Sequence, residues 1–248
     1  MLRTVVMGSL LAVAASAAPA KGAAAPVLAP FGVNAAGGST LSAPTQIVLL
    51  LTVLTLLPAL VMSITPFLRI IVVLHFLRQA LGTQSTPSNQ ILIGLALFLS
   101  ILVMQPVATR MYHEGWEPAE AGKVTWSEAF DKGSEPLKGF LVKFVREQDV
   151  RLFLEATKTP SPRNQQELGL RILIPAYILS ELKAAFQIGA VLFLPFLVID
   201  LLVASVTLSL GMVQLPPVMI SAPFKLLLFV LVDGWSLVIG SLLKSFQI

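Results

Sequence analysis

Four stretches of this chain are long and apolar enough to cross a bilayer, and they limit its fold more than any other feature. The runs 47–64 and 91–108 carry no charge at all. The run 188–210 holds a single Asp, and 218–243 a single Lys and a single Asp. An apolar stretch of about 18 or more residues can span the hydrocarbon layer as a helix. Only 12% of the residues are charged, against about 25% in soluble domains, so there is too little charge to dress these runs for water. No segment alternates convincingly as a strand. The expected fold class is all-α: a multi-helix integral membrane protein built from helical hairpins.

Residues 1–20 follow a different pattern. Arg3 gives a basic start, 5–15 a short apolar core, and "ASA" at 15–17 a small-residue cleavage site. That is the pattern of a secretory signal peptide, expected over 1–20 and set aside from fold reasoning. "APA" at 18–20 offers a second cleavage point. Residues 21–45, rich in Ala, Gly and Pro, read as a flexible linker. The mature N-terminus is therefore expected on the far side of the membrane.

A first apolar helical region is expected over 46–108. Apolar character hardly stops between 47 and 81, which predicts either one helix kinked at Pro58 and Pro66 or two pieces meeting there. Gly82 reads as a helix-ending glycine, and Thr86 with Pro87 as the start of the next helix. Residues 109–171 read as a polar helical insert. Within 110–184, Lys and Arg balance Asp and Glu, giving many charges with no net excess. "TWSE" at 125–128 matches a capping box. Leu137, Phe140, Leu141, Phe144 and Val145 recur at the spacing of an amphipathic helix. "TKTPSPRNQQ" at 157–166 reads as a loop. A second apolar helical region follows over 172–248, with Pro195 and Pro223 expected to break helices.

Charges inside apolar runs are costly and face protein, partner or water. Glu181, Lys183, Asp200, Lys225 and Asp233 are such groups. Glu181 and Lys183, near a helix start, could be solvated or could pair between subunits. Asp200 precedes Met212, and Lys225 follows Pro217, by about two to three helical turns each. If the two runs pack up and down, that sets the two charges roughly 6 Å apart in height at about 1.5 Å per residue. A Lys stem spans this gap, so an Asp200–Lys225 ion pair is expected, with Asp233 as a competitor. Arg69 and Arg78 are the only Lys or Arg between the first two runs and favour the cytoplasm for that loop. His75, Arg78 and Gln79 share a helix face, read with Arg69 as facing a partner or lipid headgroups.

Nothing here suggests catalysis. There is no Cys, and His75 and His113 are the only histidines, in no metal-ligand pattern. No nucleotide-binding loop or other cofactor motif appears, and a net charge of +4 makes no case for nucleic acid. Asp200 and Asp233 on separate apolar helices raise an intramembrane aspartyl protease. Their contexts, "VIDLL" and "LVDGW", lack the tyrosine- and glycine-flanked motifs of such enzymes. A proton-coupled small-solute transporter would lead one to look for internal repeats, and none is found.

One stretch does not suit a mere turn: "LGMVQLPPVMISAPFK" at 210–225 carries Met, Gln and three prolines between two apolar runs. Around it stand "RIIVVLHFLRQALGTQSTPSNQILIGLALFLS" at 69–100, "ILSELKAAFQIGAVLFLPFLVIDLLVASV" at 178–206 and "PFKLLLFVLVDGWSLVIGSL" at 223–242. These strings resemble the FliP family of flagellar type III export gate components, over nearly everything from 47 to the C-terminus. The related injectisome (SctR) family shares the pattern, and the signal peptide favours the flagellar branch. The resemblance implies a homopentameric cone that joins FliQ and FliR, contacts FlhB, and conducts unfolded flagellar proteins across the bacterial inner membrane at the flagellar basal body. It also implies that the apolar helices pack on other subunits, with much of the assembly lifted out of the bilayer plane. The matching loop, 211–217, would project into the pore, where the family's methionines form a gasket. Here Met212 matches the first of three methionines, and Val213 and Gln214 replace the other two. Gly211 would free the backbone to leave the helix, and Pro216 and Pro217 would stop helix continuation.

Overall fold

The computed structural model describes residues 43–83, 85–160, 168–212 and 216–246. The expected signal peptide and almost all of the expected linker lie outside the described residues. The chain divides into two units, Met1–Thr52 and Val53–Ile248. Of the first, the described part is 43–52, the opening turns of helix α1 (Ala43–Ser63).

In the second unit α1 runs on to Ser63, with Leu54, Leu56, Leu57, Leu60 and Val61 exposed. Pro58 is carried within it. The chain then breaks over 64–66, and α2 (Phe67–Ala80) starts after Pro66. Two helices therefore form in place of one kinked helix. Helix α3 (Asn89–Met111) begins after Ser88, so Thr86 and Pro87 belong to the turn instead of opening the helix. It passes into a π-helical turn (Tyr112–Trp116) and α4 (Glu117–Glu120), a continuous path of 32 residues.

The polar stretch folds as α5 (Trp126–Phe144) and α6 (Glu147–Ala156). Thr125 and Glu128 form the reciprocal capping box at the start of α5: the Glu128 N–H donates to Thr125 Oγ1 and the Thr125 N–H to Glu128 Oε2, the latter at 3.1 Å. The hydrogen bonds from Thr125 hold the Glu128 carboxyl below its ordinary pKa.

Helix α7 (Leu170–Ser209) is 40 residues long, about 60 Å at about 1.5 Å per residue, twice a hydrocarbon core of about 30 Å. Pro195 lies inside it and does not end it. Pro223 likewise lies inside α8 (Pro217–Leu231). The break in the last apolar run falls instead at Val232 and Asp233, where α8 gives way to α9 (Gly234–Ser245) at a bend of 66°. Asp233 adopts left-handed φ 51° and ψ 53°, a conformation that Asp and Asn tolerate better than most residues. Among the described residues, every regular element is helical and three helices are long and apolar enough to cross a membrane, or four spans if α8 and α9 count as one.

Helix α2 is the centre of the packing. Ile70, Val73, Leu74, Leu77 and Ala80 recur at three- and four-residue steps and are all buried. They meet Leu92, Ala96, Leu99 and Val103 of α3, Ala185 and Phe196 of α7, and Leu242 of α9. Each fully buried Leu or Ile contributes about 1.5–3 kcal/mol. The α2–α7 approach is close at Gly189, where a Cβ would stand 2.4 Å from Phe76 Cδ2. A second cluster seats α5 and α6 on the start of α7 through Leu141, Val150, Leu154, Leu173 and Tyr177.

Candidate functional site

Helices α7 and α8 meet through a polar contact inside apolar walls. Lys225 Nζ donates to Asp200 Oδ2 at 2.6 Å, and Ser221 Oγ donates to Asp200 Oδ1 at 2.5 Å. The Lys225 side chain is 2% exposed and that of Asp200 22%. Both carboxylate oxygens thus have a donor within a low-dielectric setting, where an unpaired charge would be costly. Ser221 escaped the sequence reading. It lies one helical turn before Lys225, on the same face of α8, which is the signal that could have found it.

The two helices lead into the stretch at 210–217. Helix α7 ends at Ser209, capped by Leu210, and Gly211 takes φ +72°. The Gly211 N–H donates to Leu208 O at 3.0 Å and the Met212 N–H to Thr207 O at 3.0 Å. This is a Schellman closure, which satisfies the last carbonyls of the helix and needs a residue free to adopt positive φ. Met212 is 46% exposed. Pro216 precedes α8 in extended conformation, and Pro217 is the first residue of that helix. Val213 and Gln214, read as part of the pore gasket, lie outside the described residues.

The other charges find partners that the sequence did not suggest. Glu181, considered for an intersubunit pair or a solvated helix end, is fully buried and accepts from Arg69 at 2.8 and 2.5 Å. Arg69 is therefore not a partner-facing residue: it is 6% exposed, lies 4.1 Å from the Phe246 ring centroid, and donates to Ser245 Oγ at 3.1 Å. An unpaired Arg at that depth would be prohibitive, and the fork of Glu181 supplies two charge-assisted bonds. Lys183, half-exposed, pairs with Asp149 of α6, whose other oxygen accepts from Ser180 at 2.7 Å. Burial pushes the Asp149 carboxyl up, but the hydrogen bonds from Lys183 and Ser180 prevail and hold it below its ordinary value. Asp233 is exposed at the α8–α9 bend and joins no ion pair among the described residues, so it is not a buried charge and does not compete for Lys225.

The two remaining candidates on α2 are half-buried. His75 Nδ1 lies 2.8 Å from Ile71 O within its own helix. Arg78 donates to Asn89 Oδ1 at 2.6 Å and to Pro87 O at 3.3 Å, and so holds the turn before α3. Among the described residues no three His, Cys, Asp or Glu could share a metal ion. Asp200, tied to a lysine and a serine, is no free carboxylate for water activation.

This arrangement can be set beside known proteins. The model of the FliP family matches residues 50–242, which takes in α2 to α8 and most of α9. The chain belongs to the FliP family. It is 48% identical over 210 residues to the flagellar biosynthetic protein FliP of Pectobacterium carotovorum, covering 85% of this chain and 81% of that protein. It is 48% identical over 205 residues to that of Bacillus subtilis, covering 83% and 93%. The FliP protein of Caulobacter vibrioides is 47% identical over 246 residues, covering 99% of this chain and 91% of its own length. Every charged pair described above falls inside the region that the FliP model matches.

Proposed function

We propose that this chain forms, with identical copies, the wall of the flagellar protein-export channel, and that the loop at 211–217 closes it. As a FliP-family protein it is a component of the flagellar export apparatus, and its role there is not enzymatic. The finer reading is a homopentamer that joins FliQ and FliR, contacts FlhB, and passes unfolded flagellar proteins through the inner membrane.

One observation carries this reading: the buried Asp200–Lys225–Ser221 contact locks the two helices that lead into the loop. A channel that opens for each passing chain needs a movable seal on a rigid mount. Gly211 ends α7 sharply, and Pro216 and Pro217 start α8 without continuing the first helix. Met212, flexible and polarizable, is exposed at the head of the loop, as a seal that parts and recloses requires. Five copies of Met212 and Val213 would close the pore, with Gln214 adding a polar ring. The exposed apolar faces of α3, α7 and α8 support subunit packing or lipid contact, since Phe98, Leu201, Leu227 and Val230 are each more than half exposed.

The test is a gate with Met212→Ala and Val213→Ala, expressed at wild-type level. Export of flagellar proteins should continue while small dyes and ions enter the cells. Dye uptake equal to wild type with export intact would leave the loop as a plain turn.

A further inference from the structure

A groove of about 480 Å³ runs between α7 and α9 above α2. Its walls are apolar: Val73 of α2, Ile188, Val191 and Leu192 of α7, and Leu237 and Leu242 of α9. Val191 is 68% exposed and Leu237 59%, so the groove is open along its side. Polar side chains enter its lining at Gln187, Ser241 and Ser245, and two of these lead to guanidinium groups. Ser245 Oγ accepts from Arg69, whose charge is answered by Glu181. Gln187 Oε1 accepts from Arg146 Nη2 at 2.6 Å. Arg146 meets no carboxylate among the described residues. Two buried acids feel its charge, and both already have a close cation, Glu181 in Arg69 and Asp149 in Lys183. Three cations therefore share two buried carboxylates here, and the one without a close ion pair among the described residues is the half-buried Arg146 beside the groove.

We propose that this groove holds an acyl chain of an anionic phospholipid, with the phosphate on Arg146. The guanidinium fork matches phosphate oxygens, and its present hydrogen-bond partner is a neutral amide, so a phosphate could take that place. The volume lies in the range of ligand clefts, about 300–1,000 Å³. A chain laid along Val191 and Leu237 would cover apolar surface that the protein leaves open, at about 0.8 kcal/mol per buried methylene. The lipid would bridge α7 and α9 across the groove.

The test uses the purified full chain, delipidated in detergent and titrated with dioleoyl phosphatidylglycerol or dioleoyl phosphatidylcholine, with retained lipid read by native mass spectrometry. The anionic lipid should be retained about fivefold better, the worth of one well-placed cation. Arg146→Gln should abolish that preference, Arg146→Lys should keep part of it, and Val191→Trp should lower retention of both lipids. Far-UV circular dichroism checks that each variant keeps its helices. Equal retention of the two lipids by the wild type overturns the proposal, as does an unchanged preference in Arg146→Gln. Displacement of the lipid by inorganic phosphate would show a phosphate site without an acyl-chain slot. Loss of self-association in Val191→Trp with lipid retention unchanged would make the groove a protein interface instead.

Discussion

Lys225 is a cation almost without solvent, and its stability rests on Asp200 within 2.6 Å and on little else. Removing either partner leaves a charge in an apolar setting, a loss of about 3–5 kcal/mol. Lys225→Ala should therefore lower the melting temperature of the solubilised protein and impair assembly and motility. The pair of changes Asp200→Ala and Lys225→Ala should cost less than the two singles added together. Strict additivity in melting and in assembly yield would show that the residues do not couple. Ser221 complicates the cycle in a useful way, since it still donates to Asp200 when Lys225 is gone. Asp149 gives the α6–α7 contact a pH dependence. Its folded pKa lies below the ordinary 3.8, so its contribution is present in full above that value and is lost as pH falls through the folded pKa. Docking of α6 on α7 should weaken only below about pH 4, and hydrogen exchange over 147–156 would measure it. Protection that declined already between pH 6 and 5 would contradict this assignment.

At the scale of the element, prolines and glycines act by position and not by identity alone. Pro58, Pro195 and Pro223 all ride inside helices, while the stops come at Gly82, Gly211 and Asp233, each with positive φ. A proline removes one hydrogen bond, which a helix as long as α7 absorbs; a left-handed residue turns the chain axis itself. Gly189 is different, because its constraint is space: Phe76 stands where a Cβ would be. Gly189→Leu should separate α2 from α7 and cost about 2 kcal/mol, a typical penalty for an overpacked core. Co-expression yield and thermal melting would report it, and a variant as stable as wild type would mean that the Phe76 ring turns aside freely. The 66° bend between α8 and α9 has its own consequence. It folds α9 back so that Leu242 and Phe246 reach the α2–α3 core, which a straight helix over 218–243 could not do.

For the whole molecule, the expected cleavage after a signal peptide predicts a mature chain beginning at Ala18 or Lys21. Terminal sequencing of protein purified from its own cells checks this, and an intact Met1 would refute it. Much of the helical content was legible from residue chemistry alone. Apolar length announced the membrane-scale helices, the period of Leu137, Phe140, Leu141 and Phe144 announced α5, and height along two adjoining runs brought Asp200 near Lys225. Each of these signals is local or joins segments adjacent in the chain. The pairing of Arg69 with Glu181, 112 residues apart, was not legible, and neither was that of Asp149 with Lys183. Both depend on how α2 and α6 seat on α7, and an isolated charge carries no record of which distant helix will face it. Burial explains the misjudged Arg69: within its helix it stands beside an apolar stripe, and only packing against α7 and α9 takes it out of water. The family strings identified what kind of protein this is. What the tertiary structure alone decided was which charges meet, because desolvation forces every buried charge to find the one partner that the packing brings within reach.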